Sequence, residues 1–131
     1  MPASRDAQVD ELLLATRERL AFGWTQGTTL QDIDGMPTSD PAEAARFCVL
    51  GAFAHASHAL HADAYTFHSA MQRLCETIDP SATRAAPLVF IPVWNDAEGR
   101  TQEDVLAAFD AALSRAPRTS SAVPASRSGA A

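Results

Sequence analysis

The chain has 131 residues, of which 47% are hydrophobic and 20% are charged, as in one ordinary globular domain. Its formal net charge is −6, and its ten basic residues are arginines scattered along the chain, which argues against a nucleic-acid-binding surface. No apolar stretch approaches the roughly 20 residues that span a bilayer. Residues 1–10 are too polar for a secretory signal. We therefore expect a cytoplasmic protein without nucleic-acid, membrane or cofactor partners.

The first predicted element is an amphipathic helix from Gln8 to Phe22, which follows a flexible segment of residues 1–7. One face of it repeats with the helical period: Val9, Leu12, Leu13, Thr16 and Leu20. Gly23 is expected to end this helix as a C-terminal glycine.

Residues 24–39 lack a helical period and contain the turn pairs Gln26-Gly27 and Asp34-Gly35. We expect a short strand at residues 28–33. Asp40 and Pro41 then resemble a helix start, because an N-cap acid precedes proline at the first helical position. The second helix is accordingly predicted to begin there and to end near His61.

The second helix is predicted to be the centre of the fold. Its bulky apolar residues cover a wide face, and a narrow stripe of mostly small residues lies opposite: Cys48, Gly51, Ala52, His55 and Ala59. A helix that is apolar nearly all round is buried. Glycine in such a stripe allows a neighbouring backbone to approach closely.

A third helix is predicted to begin at an Asp63 cap and to stop at Asp79-Pro80. Residues 88–94 form an apolar run whose Pro92 bars it from the middle of a sheet. This run is either a packed extended segment or an edge partner of residues 28–33.

Residues 101–104 resemble a capping box that opens the last helix. Residues 116–131 are small and polar, which is typical of a disordered tail. Together the patterns predict a mainly α fold, a compact bundle of about four helices around the buried second helix. The expected single domain spans residues 8–115.

Three stretches resemble a small uncharacterised family of actinobacterial, other high-GC bacterial and phage proteins. They are residues 23–27 (Gly-Trp-Thr-Gln-Gly), residues 45–52 (Ala-Arg-Phe-Cys-Val-Leu-Gly-Ala) and residues 93–105, which begin Val-Trp-Asn-Asp. The resemblance extends over roughly residues 8–115. It supports the fold and implies no reaction. It singles out six residues: Trp24, Gln26, Cys48, Trp94, Asn95 and Asp96.

Cys48, His55 and Asp96 are the candidates for catalysis. Cys48 and His55 share a face of the predicted helix, but two turns separate them by roughly 10 Å, too far for a thiolate–imidazole hydrogen bond. Cys48 is also predicted to lie well inside its helix, away from the N-terminus that would activate a thiol. The structural interpretation is that Cys48 is a small buried thiol that fills space in the core. Both Cys48 and Cys75 are expected to be free.

Three of the four histidines have a spacing that resembles a metal-binding motif. His55, His58 and His61 follow one another at intervals of three, and each step rotates by about 60° around the helix. Only neighbouring pairs such as His58 and His61 could therefore share an ion. No carboxylate stands at the spacing of the H-E-x-x-H zinc pattern. Histidines near a helix C-terminus are also explained by electrostatics, because a protonated imidazole is favoured at the negative end of the helix dipole. We therefore predict no metal site.

The two tryptophans mark the predicted binding site. If Trp24 and Gln26 lie beside Trp94, Asn95 and Asp96, two indoles with amide and carboxylate groups form a recess suited to a ligand or a peptide. The competing interpretation is structural, because Asn and Asp side chains stabilise turns and can tie two loops together.

The sequence contains no phosphate loop, dinucleotide fingerprint or Ser-His-Asp order. It favours a non-enzymatic binding or regulatory module whose partner is an unidentified protein or small molecule. The resemblance suggests an origin in a phage or mobile element, and residues 88–94 are expected to help form a homodimer. The alternative is a small enzyme that uses Cys48 or Asp96.

Overall fold

The computed structural model describes residues 4–82 and 86–115 and shows a mainly helical, compactly packed fold. Its helices are α1 (Arg5–Phe22), α2 (Val49–Leu60), α3 (Ala64–Ile78), α4 (Pro87–Asn95) and α5 (Gln102–Ser114). The strands β1 (Leu30–Gln31) and β2 (Arg46–Phe47) form a small antiparallel sheet, and 3-10 turns occupy Pro41–Glu43 and Pro80–Ala82. The predicted fold class is confirmed, with five α-helices among the described residues where about four were expected.

Helix α1 begins at Arg5, before the predicted Gln8, because the Ser4 side chain caps it by accepting a hydrogen bond from the Ala7 N–H. Its predicted apolar face is buried and packs against α2, α3 and α5. Helix α1 thus shares the centre of the bundle with α2, whose second half leaves His58 and Ala59 exposed. The prediction that the second helix is buried nearly all round is corrected to this extent. Residues 1–3 of the predicted flexible segment and the predicted tail at 116–131 lie outside the described residues.

Gly23 ends α1 as predicted, but for a different reason from a left-handed C-terminal glycine. Its φ is −170°, which is extended backbone open to any residue. A Cβ at Gly23 would lie 2.2 Å from the Ala45 carbonyl oxygen, so glycine is required there by a close approach between two backbone segments.

The predicted start of the second helix at Asp40 is wrong. Asp40 and Pro41 begin only a 3-10 turn, and the chain is then extended until Cys48, which is the N-cap of α2. The reason is long-range pairing: the Phe47 N–H donates to the Gly23 carbonyl at 3.0 Å and its carbonyl accepts from the Thr25 N–H at 3.0 Å. Hydrogen bonds to distant backbone therefore override a strong local helix signal.

The predicted pairing of residues 28–33 with 88–94 is also wrong, since β1 pairs with β2 through Leu30 opposite Phe47. Residues 88–94 belong to α4, which starts with Pro87 at its first position and contains Pro92. Helix α4 buries Ile91 and Asn95, four residues apart, while its solvent face is also apolar. That second apolar face conceals the helical period and makes the run resemble a strand.

The remaining predicted caps are confirmed. Asp63 caps α3, Asp79 ends it, and Thr101 and Asp104 form the capping box of α5. Both cysteines are free and buried, as predicted. In the part of the chain that the structure describes, no helix combines the length and the apolar character needed to cross a membrane.

Candidate functional site

The residues around the two tryptophans lie side by side, as the sequence suggested. We name residues 24–27, together with the last turn of α4 and the residues that follow it (94–97), the tryptophan loops. The Trp24 indole Nε1 donates to Asn95 Oδ1 at 2.8 Å. Gln26 Nε2 donates to the backbone carbonyls of Asn95 and Ala97, both at 3.0 Å. All five side chains predicted for binding, those of Trp24, Gln26, Trp94, Asn95 and Asp96, therefore belong to one local structure.

Asn95 is the hub of the tryptophan loops and has 0% exposed surface. Its Oδ1 accepts hydrogen bonds from the Trp24 indole and from the Val49 N–H, the latter at 2.9 Å. Its Nδ2 donates to the Thr25 carbonyl at 3.2 Å and to Asp96 Oδ1 at 2.8 Å. Two donors and two acceptor positions are the full capacity of an amide side chain. Asn95 thus joins both tryptophan loops to the start of α2 and retains no polar group for a ligand.

The outer part of the tryptophan loops is also engaged within the chain. Asp96 is exposed, and its Oδ1 accepts from the Gly27 N–H at 3.0 Å. The Arg100 guanidinium lies 4.3 Å from the centre of the half-buried Trp94 ring, and its Nε donates to the Trp94 carbonyl at 3.0 Å. A cation of the protein therefore covers one face of this indole.

Cys48 occupies the N-cap position of α2, which corrects its predicted place inside the helix. Its Sγ accepts a hydrogen bond from the Gly51 N–H at 3.2 Å, and the residue is only 8% exposed. Burial is the largest influence on the thiol and raises its pKa above the ordinary value of 9.0. The negative charge of Asp96 acts in the same direction, while the backbone N–H groups at the helix start act against both. The balance favours a protonated thiol, which is a poor nucleophile.

The catalytic candidates are not combined into a nucleophile–base pair. His55 Nδ1 accepts a hydrogen bond from Arg19 Nε at 2.8 Å, so this imidazole nitrogen is already occupied by a cation. Asp96 acts on Cys48 by opposing formation of the thiolate. The structure thus brings Asp96 near Cys48 without the activation that cysteine catalysis requires.

We expect both cysteines of the native protein to react slowly with iodoacetamide at pH 8, at least about ten-fold more slowly than in urea, because burial raises the pKa of each thiol. For Cys75 the pKa rises to about 11. Mass spectrometry of quenched reactions measures the rate, and Cys48→Ser and Cys75→Ser assign it to each thiol. A native Cys48 that reacts as fast as the unfolded chain would contradict the structural role.

A cavity of about 210 Å³ lies between α2 and the segment that carries β1. Its lining is mainly apolar, with two imidazoles: Thr29, Leu30, Pro41, Gly51, Ala54, His55, His58 and Ala59. The small-residue stripe predicted on the second helix explains the cavity. At one end of the stripe the backbone at Thr29 approaches closely, since a Cβ on Gly51 would be 2.4 Å from the Thr29 carbonyl oxygen. Towards Ala59, the small side chains leave open space.

The two histidines named as metal candidates line different cavities. His58 borders the 210 Å³ cavity, whereas His61 ends α2 in a left-handed conformation and borders a second cavity of about 150 Å³ beside Asp63. Across residues 4–82 and 86–115, no group of three or more His, Cys, Asp and Glu residues is placed to bind a metal ion.

Comparison with known proteins supplies a family and no activity. No curated protein and no solved structure matches the chain. One family model does match, and it covers residues 4–115, a range that contains every residue the structure describes. The chain therefore belongs to DUF6197, a family of unknown function.

Proposed function

We propose that the protein is a non-enzymatic binding module that holds a small, largely apolar molecule in the cavity beside α2. The observation that supports this function is the cavity itself, an apolar space of about 210 Å³ whose lining includes the imidazoles of His55 and His58. This is the usual composition of a small-molecule site. The cavity is larger than the apolar space of about 150 Å³ that accepts benzene in another protein. Its size suits one ring with a short substituent.

The tryptophan loops serve this function by holding one wall of the cavity, Thr29 and Leu30, in place. Asn95 ties the Thr25 carbonyl to the first N–H of α2, and the Cys48 N–H donates to the Thr29 carbonyl at 3.0 Å. These bonds hold Thr29 and Leu30 over the small residues of α2. In this proposal Trp24, Gln26, Trp94, Asn95 and Asp96 position the binding site, while the surface that touches the ligand is the cavity lining.

A regulatory role stays a prediction from the sequence, and an origin in a phage or mobile element rests on the sequence resemblance. The alternative of an enzyme that uses Cys48 or Asp96 has less support, because the thiol is buried and Asp96 opposes its ionisation. The homodimer also stays a prediction. Helix α4 offers it an exposed apolar face formed by Leu88, Val89 and Val93.

The binding proposal predicts saturable binding of toluene, measured by amide chemical shifts in ¹H–¹⁵N correlation spectra. The largest shifts are expected at the lining residues Gly51, Ala54 and His55. Ala54→Phe should abolish the shifts, because Ala54 is exposed at the mouth and a phenyl ring there fills the space with little cost to the core.

Ala107→Phe is the matched control, since Ala107 is an exposed helical alanine on α5 that does not line the cavity. It should leave toluene binding intact. Shifts that increase linearly without saturation, or that persist in Ala54→Phe, would refute a binding site in this cavity.

A further inference from the structure

We infer that the ligand of this cavity is a small organic acid, whose apolar body fills the cavity and whose carboxylate accepts a hydrogen bond from His55 Nε2. The inference rests on the proposed function and adds the chemical class of the ligand. Three observations carry it: the hydrogen-bonding state of His55, the orientation of its ring, and the distribution of charge around the cavity.

The hydrogen bond from Arg19 selects the tautomer of His55. Because Nδ1 accepts from Arg19 Nε at 2.8 Å, it carries no hydrogen, and the hydrogen of the neutral ring is on Nε2. Among the described residues, Nε2 has no hydrogen-bond partner. His55 therefore has an unused N–H donor, and it is one of the residues that line a cavity that is almost entirely apolar.

Two contacts orient the His55 ring before any ligand arrives. Arg19 is itself anchored, since its Nη1 donates to the Ala15 carbonyl at 2.9 Å. The Phe47 ring meets the imidazole edge-on, with ring centres 5.1 Å apart and an angle of 72° between the planes. A donor held in place on both sides loses little conformational entropy when it binds an acceptor, which strengthens recognition.

The charge around the cavity favours an anion even though the whole chain carries a net charge of −6. None of the lining residues is acidic, and the Arg19 guanidinium lies directly behind His55. His58 adds a second imidazole to the lining. A carboxylate placed at His55 Nε2 would thus meet a donor backed by a positive charge, and none of the lining residues carries a carboxylate that would repel it.

Three test ligands of similar shape separate this inference from the proposed function: benzoate, benzamide and toluene. All three place a ring in the cavity, and they differ in having a charged acceptor, a neutral acceptor or none. We expect benzoate to bind the wild-type chain at least about ten-fold more tightly than toluene, with benzamide between them. The dissociation constants are measured at pH 7.5 by the same amide-shift titration.

Two variants test the donor. His55→Phe keeps an aromatic ring but removes Nε2, and Arg19→Met removes the cation and frees Nδ1. Each should reduce the benzoate preference over toluene to about two-fold or less. If one variant fails to fold, the other still gives the result. Ala107→Phe should retain the wild-type preference.

The outcomes distinguish the two proposals. Saturable toluene binding with no preference for benzoate would overturn the acid inference and leave the binding function standing. Absence of binding by all three ligands would overturn both. A benzoate preference that survives both variants would show that His55 and Arg19 do not recognise the carboxylate.

Discussion

Asn95→Ala is expected to lower the free energy of unfolding by about 3–5 kcal/mol, the largest effect of any single substitution in the tryptophan loops. The truncated side chain would leave the Trp24 indole N–H, the Val49 N–H and the Thr25 carbonyl without their partner in a site that has 0% exposure at residue 95. Each buried polar group that loses its partner costs about 1–3 kcal/mol. Urea unfolding followed by circular dichroism and tryptophan fluorescence measures the change.

Gln26→Ala is the matched control for Asn95→Ala. Gln26 is also an amide of the tryptophan loops and also makes two hydrogen bonds across them, but it is exposed. Water can replace those bonds, so we expect a loss of about 1 kcal/mol or less. Equal effects of the two substitutions would mean that burial of Asn95 is not what makes its hydrogen bonds important.

Gly51→Ala is expected to destabilise the protein by about 2–3 kcal/mol, although the same change in an open helix would stabilise it by about 1 kcal/mol. The added Cβ would stand 2.4 Å from the Thr29 carbonyl oxygen and 2.9 Å from Thr29 Cγ2. That carbonyl is also the acceptor for the Cys48 N–H, so its displacement disturbs the start of α2 as well. The midpoint of urea unfolding measures the loss of stability. The toluene titration measures whether displacement of Thr29, which lines the cavity, also weakens binding.

Ala54→Gly on the same helix isolates helix propensity from the steric effect. Ala54 is exposed, and its replacement by glycine should cost about 1 kcal/mol through backbone entropy alone. If propensity alone governed both sites, Gly51→Ala would stabilise the chain while Ala54→Gly destabilises it. We expect both to destabilise. A stabilised Gly51→Ala variant would show that Thr29 moves away at little cost.

Much of the helical structure follows directly from local sequence. Helices α1, α3 and α5 combine a clear helical period with capping residues close to their ends, and each forms where its pattern predicts. The Asp34-Gly35 turn is likewise predicted from its residues, and Gly35 has a φ of 85°. Such features depend on the backbone conformation that each residue prefers and on neighbours within one turn. They can therefore be predicted from the sequence alone.

Two wrong predictions show where local sequence patterns are not sufficient to predict secondary structure. Asp40 and Pro41 are a strong helix start, yet backbone pairing with residues 23–31 keeps the following chain extended as far as Cys48. Residues 88–94 show no helical period because both faces of α4 are apolar. In each case the choice depends on which distant segment competes for the backbone or covers the side chains.

The candidate site also has one part that the sequence suggests and another part that only the tertiary structure reveals. The residue types raise the adjacency of Trp24 and Trp94 as one possibility, and the use of Asn95 and Asp96 to tie their loops together as the competing one. The cavity was not expected, although its signal is present in the small-residue stripe of the second helix. Its other wall comes from Thr29, Leu30 and Pro41, and their position depends on hydrogen bonds between segments far apart in sequence.

The amino-acid order of this protein therefore specifies its helical class, most helix ends, its buried free thiols and the small side chains of α2. Packing specifies the rest: the N-cap role of Cys48, the helical state of residues 87–95 and the space beside His55. The physical reason for this division is the distance along the chain over which each interaction acts. Caps and periods act over a few residues, whereas a cavity exists only where two distant surfaces meet without filling the volume between them.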